Sequence, residues 1–158
     1  MRLVHFSAEP LGELHAVAQV DSDRRGEYAK PKGLWLSDED DYGWRKWCED
    51  EEYGVERLAL AHEITLAEDA NVLHLSAAHE LDDFTERYGA QLSGWPLSQF
   101  GRVYAIDWQK VAVDYRGLLI TPYQWERRLS LGWYYGWDCA SACVWDPAAI
   151  ASVERVDP

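Results

Sequence analysis

The sequence predicts an α+β fold in a single domain spanning residues 1–158. Two observations favour this class: stretches with strand-like alternation and stretches with helical spacing are both short, and they follow one another in a mixed order rather than in strict alternation. The length also suits one hydrophobic core, because chains of this size bury about 70% of the surface of the unfolded chain. No internal repeat and no low-complexity segment interrupts the pattern.

The first half of the chain is expected to contain four strands and one helix. Ser37 or Asp38 is expected to cap this helix, whose apolar face consists of Trp44, Trp47 and Cys48 at positions i, i+3 and i+4. Gly and Pro in the polar segment "QVDSDRRGEYAKPKG" indicate a loop. The expected strands are "RLVHFS", "LWLS", "VERLALAHEITLA" and "NVLHL".

Three helices are expected in the second half. Ser76 is placed to cap the first, which ends at Gly89 and whose buried stripe consists of Leu81, Phe84, Thr85 and Tyr88. Asp107 is placed to cap a short helix over "WQKVAV". Thr121, Pro122 and Gln124 together match a capping box and predict a helix over "YQWERRL".

The remaining strands are expected at "YRGLLIT", "SACVW" and "IASVERV", with a turn at Asp146-Pro147. We expect the stretch "GWDCASACVWDPAAI" to form a turn that faces a cleft, followed by a buried strand. Alternation predicts the two faces of this strand. One face would carry Ala140, Ala142 and Val144, and the other would carry Ser141, Cys143 and Trp145.

The net charge of −13 argues against stable binding to duplex nucleic acid, because Lys and Arg make the phosphate contacts. The acidic residues are expected to form a solvated face, while a DNA mimic that binds a basic partner is the alternative. They concentrate at Asp38, Glu39, Asp40, Asp41, Glu49, Asp50, Glu51 and Glu52.

The three cysteines, Cys48, Cys139 and Cys143, are expected to be buried, reduced thiols. A structural zinc is not expected, because no second Cys or His pair with finger-like spacing accompanies Cys139 and Cys143. A Cys-His nucleophile pair would have to be long-range, since all five histidines precede residue 80. Glu126 and Asp138 also fit a glycosidase pair, with tryptophans as sugar platforms.

No apolar run is long enough for a secretory signal or a membrane span, so we expect a cytoplasmic protein with no membrane partner. Nine tryptophans are spread over the chain. Most are expected in the core or in the wall of a cleft, and some are candidates for stacking on a flat ligand.

Three segments carry a resemblance to a known family. The segments "LVHFS", "KPKGLWLS" and "ACVWDPAAI" occur in this order, with "WRKWC" after the second. Their layout resembles the ADP-ribosyltransferase superfamily, and most closely its poly(ADP-ribose) polymerase and RNA 2′-phosphotransferase side. The resemblance covers less than a third of the chain, in pieces. It implies split mixed β-sheets with short flanking helices, and NAD as the substrate.

The resemblance also implies roles for residues of the first two segments. His5 matches the histidine that hydrogen-bonds the adenosine ribose, and Ser7 matches the residue that helps to seat nicotinamide. Gly33–Ser37 match the second strand of the family. This match puts Trp35 where an aromatic ring stacks on nicotinamide, and it makes Gly33 and Ser37 part of the NAD site.

The third segment departs from the family pattern, because Ser141, which directly precedes it, stands where the catalytic glutamate is usually found. Serine can bind a ribose hydroxyl, but it cannot stabilise the positive charge that develops on the sugar. Asp138 or Glu126 is therefore the candidate for the missing carboxylate. The predicted catalytic group is Asp138, Ser141 and Glu126.

Two hypotheses remain open at this point. In the first, the chain is a mono-ADP-ribosyltransferase that transfers ADP-ribose from NAD to a protein or nucleic-acid acceptor, as expected of a toxin or phage effector. In the second, it is a catalytically inactive, acidic interaction module that uses the same fold to bind a partner. Turnover of NAD distinguishes the two hypotheses.

Overall fold

Nine strands and four helices are present in the computed structural model, over the residues that it describes, 1–20, 30–91 and 104–157. The strands are β1 (Leu3–Ser7), β2 (Leu34–Asp38), β3 (Leu60–Leu66), β4 (Val72–Leu75), β5 (Gly89–Gln91), β6 (Tyr104–Ile106), β7 (Gly117–Ile120), β8 (Ser141–Val144) and β9 (Ile150–Val156). The helices are α1 (Trp44–Asp50), α2 (Ala78–Tyr88), α3 (Trp108–Asp114) and α4 (Gly132–Tyr135). Short 3-10 turns cover Val55–Leu58, Trp125–Arg127 and Pro147–Ala149.

Seven of these strands form one mixed sheet in the order β4-β7-β8-β2-β1-β3-β9. The pair β4 and β7 is parallel, and the other neighbours are antiparallel. The strands β5 and β6 form a separate antiparallel pair. The predicted α+β class is therefore confirmed. The predicted loop at 19–33 lies largely outside the described residues, as does Trp95.

Two apolar clusters lie on opposite faces of the sheet. The cluster under the helices is dominated by aromatic rings and contains Phe84, Trp108, Trp133, Tyr134 and Trp137. The second cluster consists of smaller aliphatic side chains, among them those of Leu3, Leu36, Ile64, Ala142 and Val144. Most of the described tryptophans are thus buried or half-buried, as expected, because large rings gain the most from removal from water.

Strand β8 lies in the interior of the sheet, and all four of its residues are buried. Cys143 and the following Trp145 pack in the cluster under the helices, while Ala142 and Val144 pack in the second cluster, as the alternation predicts. Ala140 was expected on the face of Ala142. It packs under the helices instead, because it precedes the strand and is not subject to its alternation.

Three of the predicted helices, α1, α2 and α3, are present. The predicted buried stripe of α2 is confirmed, because Leu81, Phe84, Thr85 and Tyr88 are all buried. The Glu80 carboxylate accepts hydrogen bonds from the backbone N–H groups of Ser76 and Ala77. Helix α3 is capped as predicted, since the Asp107 carboxylate accepts from the backbone N–H of Lys110 at 3.1 Å.

The prediction of a helix over "YQWERRL" is wrong, since this segment contains only the 3-10 turn Trp125–Arg127. The Thr121 hydroxyl was expected to cap it, but it donates to the Asp38 carboxylate at 2.6 Å. The backbone N–H groups of Tyr123 and Gln124 donate to Asp41 and to the Tyr134 hydroxyl. These tertiary hydrogen bonds replace those that a helix would have made.

Two further differences concern element boundaries. The strand expected from Val55 begins only at Leu60, because Val55–Leu58 form a 3-10 turn. Helix α1 begins at Trp44, later than the acidic residues that were expected to start it. The Ser37 hydroxyl nevertheless accepts from the Trp44 backbone N–H at 2.6 Å, so it binds the helix start from seven residues upstream. Helix α4 was not predicted.

The acidic run is only partly a solvated face. Asp38 is buried, with 3% of its surface exposed, and it accepts from Thr121. The Glu39 side chain is 9% exposed and contacts Ser37 and Arg45. Asp41 accepts from the Tyr123 backbone N–H. These three carboxylates connect β2 to neighbouring segments and so contribute to the fold. Asp38 and Glu39 are largely removed from solvent, whereas Asp41 is exposed.

Candidate functional site

A cavity of about 290 Å³ lies where β1 and β2 stop pairing. The ladder between these strands covers two residue pairs, at Leu3 and Val4, whereas β2 and β8 pair over four residues. Beyond Val4 the ladder ends, and the His5 ring bonds to the backbone of β2 instead, with its Nδ1 atom 2.9 Å from the Trp35 carbonyl oxygen. The cavity is lined by Val4, His5, Phe6, Lys30, Trp35, Leu36, Ser37, Trp44, Arg57, Asp138, Cys139 and Ser141.

The protonation of His5 follows from its hydrogen bond. A carbonyl oxygen can only accept, so Nδ1 carries the proton and Nε2 of the neutral ring is left as an acceptor. Burial lowers the pKa of His5 below its ordinary value of 6.5, and the neighbouring His62 lowers it further. The hydrogen bond to Trp35 opposes this shift only in part. His5 is therefore neutral at pH 7.

The lowered pKa of His5 predicts a loss of stability in mild acid. The unfolded chain takes up a proton as the pH falls through 6.5, while the folded protein resists protonation, so stability is complete above this pH and falls below it. The melting temperature of the wild type is expected to drop more between pH 8 and pH 5 than that of His5→Gln. His15→Gln is the control, because the His15 side chain is 72% exposed. Equal drops in all three proteins would contradict the prediction.

Trp35 both packs in the core and lines the cavity. Its ring centroid is 4.7 Å from that of Trp137, a fully buried residue of the cluster under the helices. The Lys30 Nζ atom lies over the Trp35 ring, 5.3 Å from the centroid. One part of the indole is therefore fixed by packing while another faces the cavity, so that it can serve as a rigid platform for a flat ligand.

Asp138 is the carboxylate that lines the cavity. Its side chain is 26% exposed, and its Oδ2 atom is 3.4 Å from the Lys30 Nζ atom. It precedes β8, in the turn where the sequence analysis placed it. A partly buried carboxylate with a loose ion pair can interact with positive charge that develops in the cavity.

Ser37 and Ser141 are direct partners in the β2-β8 register, and both line the cavity. The Ser37 hydroxyl donates to Glu39 at 2.5 Å, and the Ser141 hydroxyl donates to the Cys139 carbonyl at 3.0 Å. Both hydroxyl protons are thus donated to acceptors within the protein. The Ser141 oxygen can still accept, for example from a ribose hydroxyl, because a hydroxyl has two lone pairs, whereas the Ser37 oxygen already accepts from the Trp44 backbone N–H and has one lone pair left.

Three residues of the predicted site do not line the cavity. The Ser7 hydroxyl donates to the Glu9 carbonyl at 2.7 Å. Gly33 serves the packing of β2 on β8, since a Cβ atom at this position would lie 2.4 Å from the Val144 carbonyl oxygen. The Glu126 side chain is 81% exposed and lies in the turn Trp125–Arg127. Asp138 is therefore the predicted carboxylate that the fold brings to the cavity.

The cationic part of the site was not predicted from the sequence. Lys30 and Arg57 line the cavity together with the ring of Trp44. Lys30 belongs to the segment interpreted as a polar loop, and Arg57 was placed in a strand. Neither lies in a recognisable motif, so no signal in the sequence distinguishes them from solvated surface charges.

The three cysteines are free and buried. Burial raises the pKa of the Cys139 thiol to about 12 and raises that of Cys143 as well. Both therefore stay protonated at pH 7, which disfavours a thiolate nucleophile even though Cys139 lines the cavity. In the described part of the chain, no group of three or more His, Cys, Asp or Glu side chains is arranged to hold a metal ion.

Comparison with known proteins adds no relative: no family model, no curated protein and no solved structure matches the chain. Over the residues that the structure describes, no helix has both the length and the apolar character needed to cross a membrane. Function therefore has to be argued from the cavity and its residues.

Proposed function

We propose that the cavity binds NAD and that the protein is an ADP-ribosyltransferase-like enzyme. One observation carries the proposal. The three segments with the resemblance are far apart in the sequence, yet they supply the adjacent strands β8, β2 and β1. His5 of the first segment, Trp35 and Ser37 of the second, and Ser141, which directly precedes the third, all line the same cavity. A chance resemblance of unrelated strands would not be expected to bring these side chains together.

In this proposal the nicotinamide ring stacks on Trp35. The unprotonated Nε2 atom of His5 accepts a hydrogen bond from a ribose hydroxyl, which the neutral state of the ring permits. Ser141 accepts from the hydroxyl of the nicotinamide ribose, since its own hydroxyl proton is donated to the Cys139 carbonyl oxygen. The ligand is thereby held by one aromatic face and by acceptors matched to its hydroxyl groups.

The reaction exchanges one bond at the sugar for another. The bond between C1′ of the ribose and the ring nitrogen breaks, and its electron pair leaves with neutral nicotinamide. A lone pair of the acceptor, which is water, a protein side chain or a nucleic acid, forms the new bond to C1′, and the acceptor releases its proton to Asp138 or to solvent. The Asp138 carboxylate stabilises the positive charge on the sugar between the two events.

The size and charge of the cavity suit one end of the dinucleotide. A volume of about 290 Å³ is at the lower limit of the 300–1,000 Å³ typical of ligand pockets, so it suits the nicotinamide end of the dinucleotide and leaves the adenine base outside. Arg57 is the candidate partner of the diphosphate, since its guanidinium supplies positive charge at the cavity of a protein with net charge −13.

The proposal predicts a specific role for Trp35 in NAD binding. Trp35→Ala is expected to weaken binding by about 1–3 kcal/mol, the usual effect of removing an aromatic platform, while Trp35→Phe retains most of the affinity. Because Trp35 also packs on Trp137, the melting temperature of Trp35→Ala is expected to fall as well. Isothermal titration calorimetry with NAD, below the melting temperature of each variant, measures the effect.

Trp125→Ala is the matched control, because Trp125 is 54% exposed and does not line the cavity. Release of nicotinamide from NAD, with and without cell lysate as a source of acceptors, tests the enzymatic part of the proposal. If the wild type neither binds NAD nor releases nicotinamide, the proposal is wrong and the inactive interaction module becomes the better hypothesis.

A further inference from the structure

Lys30 occupies a position between two groups that both attract positive charge. Its ammonium nitrogen is 5.3 Å from the centroid of the Trp35 ring and 3.4 Å from the Asp138 Oδ2 atom. The face of an indole attracts cations through its quadrupole, and the carboxylate attracts them directly. Trp35 and Asp138 therefore form a slot with an aromatic wall and an anionic wall, which we call the cation slot.

The contact between Lys30 and the cation slot is loose. A well-formed bond between an ammonium group and a carboxylate is about 2.7–2.9 Å long, which is shorter than the 3.4 Å found here. The Lys30 side chain is also 39% exposed. Exposed ion pairs of this kind contribute little stability, so a ligand can displace the ammonium group at small cost.

The backbone next to Lys30 is held in place independently of this contact. The Lys32 N–H donates to the Gln19 side-chain oxygen at 2.9 Å, and the Gln19 amide donates to the Lys32 carbonyl at 2.7 Å. Pro31 is buried against β8, where its carbonyl lies 3.8 Å from the Cys143 Sγ atom. The Lys30 side chain can therefore leave the slot by rotation about its own bonds while the backbone stays in place.

We propose that the cation slot binds flat organic cations and that Lys30 is its internal competitor. A flat cation overlaps the indole face over a larger area than an ammonium group and keeps the same attraction to Asp138, so it replaces Lys30. This inference rests on the proposed function for the identity of the natural ligand, and it specifies that ligand further. The slot selects the positively charged ring of oxidised NAD and discriminates against the neutral ring of its reduced form.

Two small probes test the slot without any turnover. 1-Methylnicotinamide is a flat cation, and nicotinamide is a neutral ring of nearly the same size. In the wild type the cation is expected to bind about 2 to 30 times more tightly than the neutral ring, the range that a cation–π contact of about 0.5–2 kcal/mol gives. Quenching of tryptophan fluorescence and calorimetry measure both affinities.

Variants on the two sides of the slot have opposite expected effects. Lys30→Met removes the competitor and is expected to increase the preference for the cation about twofold or more, on the same cation–π scale. Asp138→Asn removes the anionic wall and is expected to bring the two affinities close together. Lys46→Met is the matched control, since Lys46 pairs with Asp50 on α1 and does not line the cavity.

The outcomes separate this inference from the proposed function. Equal affinities for the two probes in the wild type, or an unchanged preference in both Lys30→Met and Asp138→Asn, would overturn the cation slot even if NAD is turned over. A preference for the cation that responds to both variants supports the slot. If NAD then fails to bind, the slot stands and the proposed function is wrong.

Discussion

Replacing Trp133 with alanine is expected to lower the free energy of unfolding by about 3–5 kcal/mol, the cost of removing a large ring from a packed core. Trp133 is 2% exposed and lies at the centre of the aromatic cluster under the helices. Its ring contacts those of Phe84, Trp108 and Trp137, at centroid distances of 5.5, 6.2 and 6.2 Å. Its indole N–H donates to the Thr85 hydroxyl at 2.8 Å. Urea denaturation followed by circular dichroism measures the loss.

Two further variants make this result specific. Trp133→Phe keeps most of the buried ring, so it is expected to lower the free energy of unfolding clearly less than the alanine variant does. The cost that remains includes the loss of the indole N–H that donates to the Thr85 hydroxyl. Trp125→Ala removes a ring that is 54% exposed and is expected to have a much smaller effect. A cost for Trp133→Ala no greater than that for Trp125→Ala would mean that the cluster does not support the fold as described.

Changing Asp138 to asparagine is expected to reduce nicotinamide release from NAD about tenfold or more while the fold is retained. Asparagine has nearly the same shape but no charge, so it cannot stabilise the positive charge on the sugar. The effect should appear in the rate at saturating NAD, because the missing interaction is strongest in the transition state. Assay of released nicotinamide by liquid chromatography over a series of NAD concentrations gives this rate.

Asp69→Asn serves as the matched control, since Asp69 is exposed and does not line the cavity. Glu126→Gln tests the other predicted carboxylate, and a normal rate is expected because its side chain is 81% exposed and outside the cavity. A normal rate in Asp138→Asn would remove Asp138 from the proposed mechanism. A reduced rate in Glu126→Gln would show that the turn Trp125–Arg127 takes part in the reaction.

Local patterns in the sequence were sufficient to predict most of the helices and strands. The spacing of Leu81, Phe84, Thr85 and Tyr88 predicts α2 and its buried face, because helical periodicity depends only on near neighbours. The alternation in "SACVW" predicts β8 in the same way. The helix predicted after Thr121 failed because Thr121 and the following N–H groups bond to Asp38, Asp41 and Tyr134, which are distant in the sequence or lie in an unpredicted helix.

The candidate site was predicted in part. His5, Trp35, Ser37, Asp138 and Ser141 were singled out through the resemblance or through their position beside it, and all five line the cavity. Lys30 and Arg57 were missed, because isolated basic residues have no pattern that indicates a ligand. Gly33 was assigned to the NAD site, yet the close approach of Val144 shows that the position requires glycine for strand packing.

The sequence by itself determined the α+β class, the short strands and the buried stripe of α2, because each of these follows from the polarity of neighbouring residues. Only the tertiary structure decided that β1, β2 and β8 are neighbours and that a cavity lies where β1 and β2 stop pairing. It also decided that Lys30 contacts both Trp35 and Asp138. Contacts between residues about a hundred positions apart depend on strand order and on the packing of the whole sheet, which local patterns do not encode.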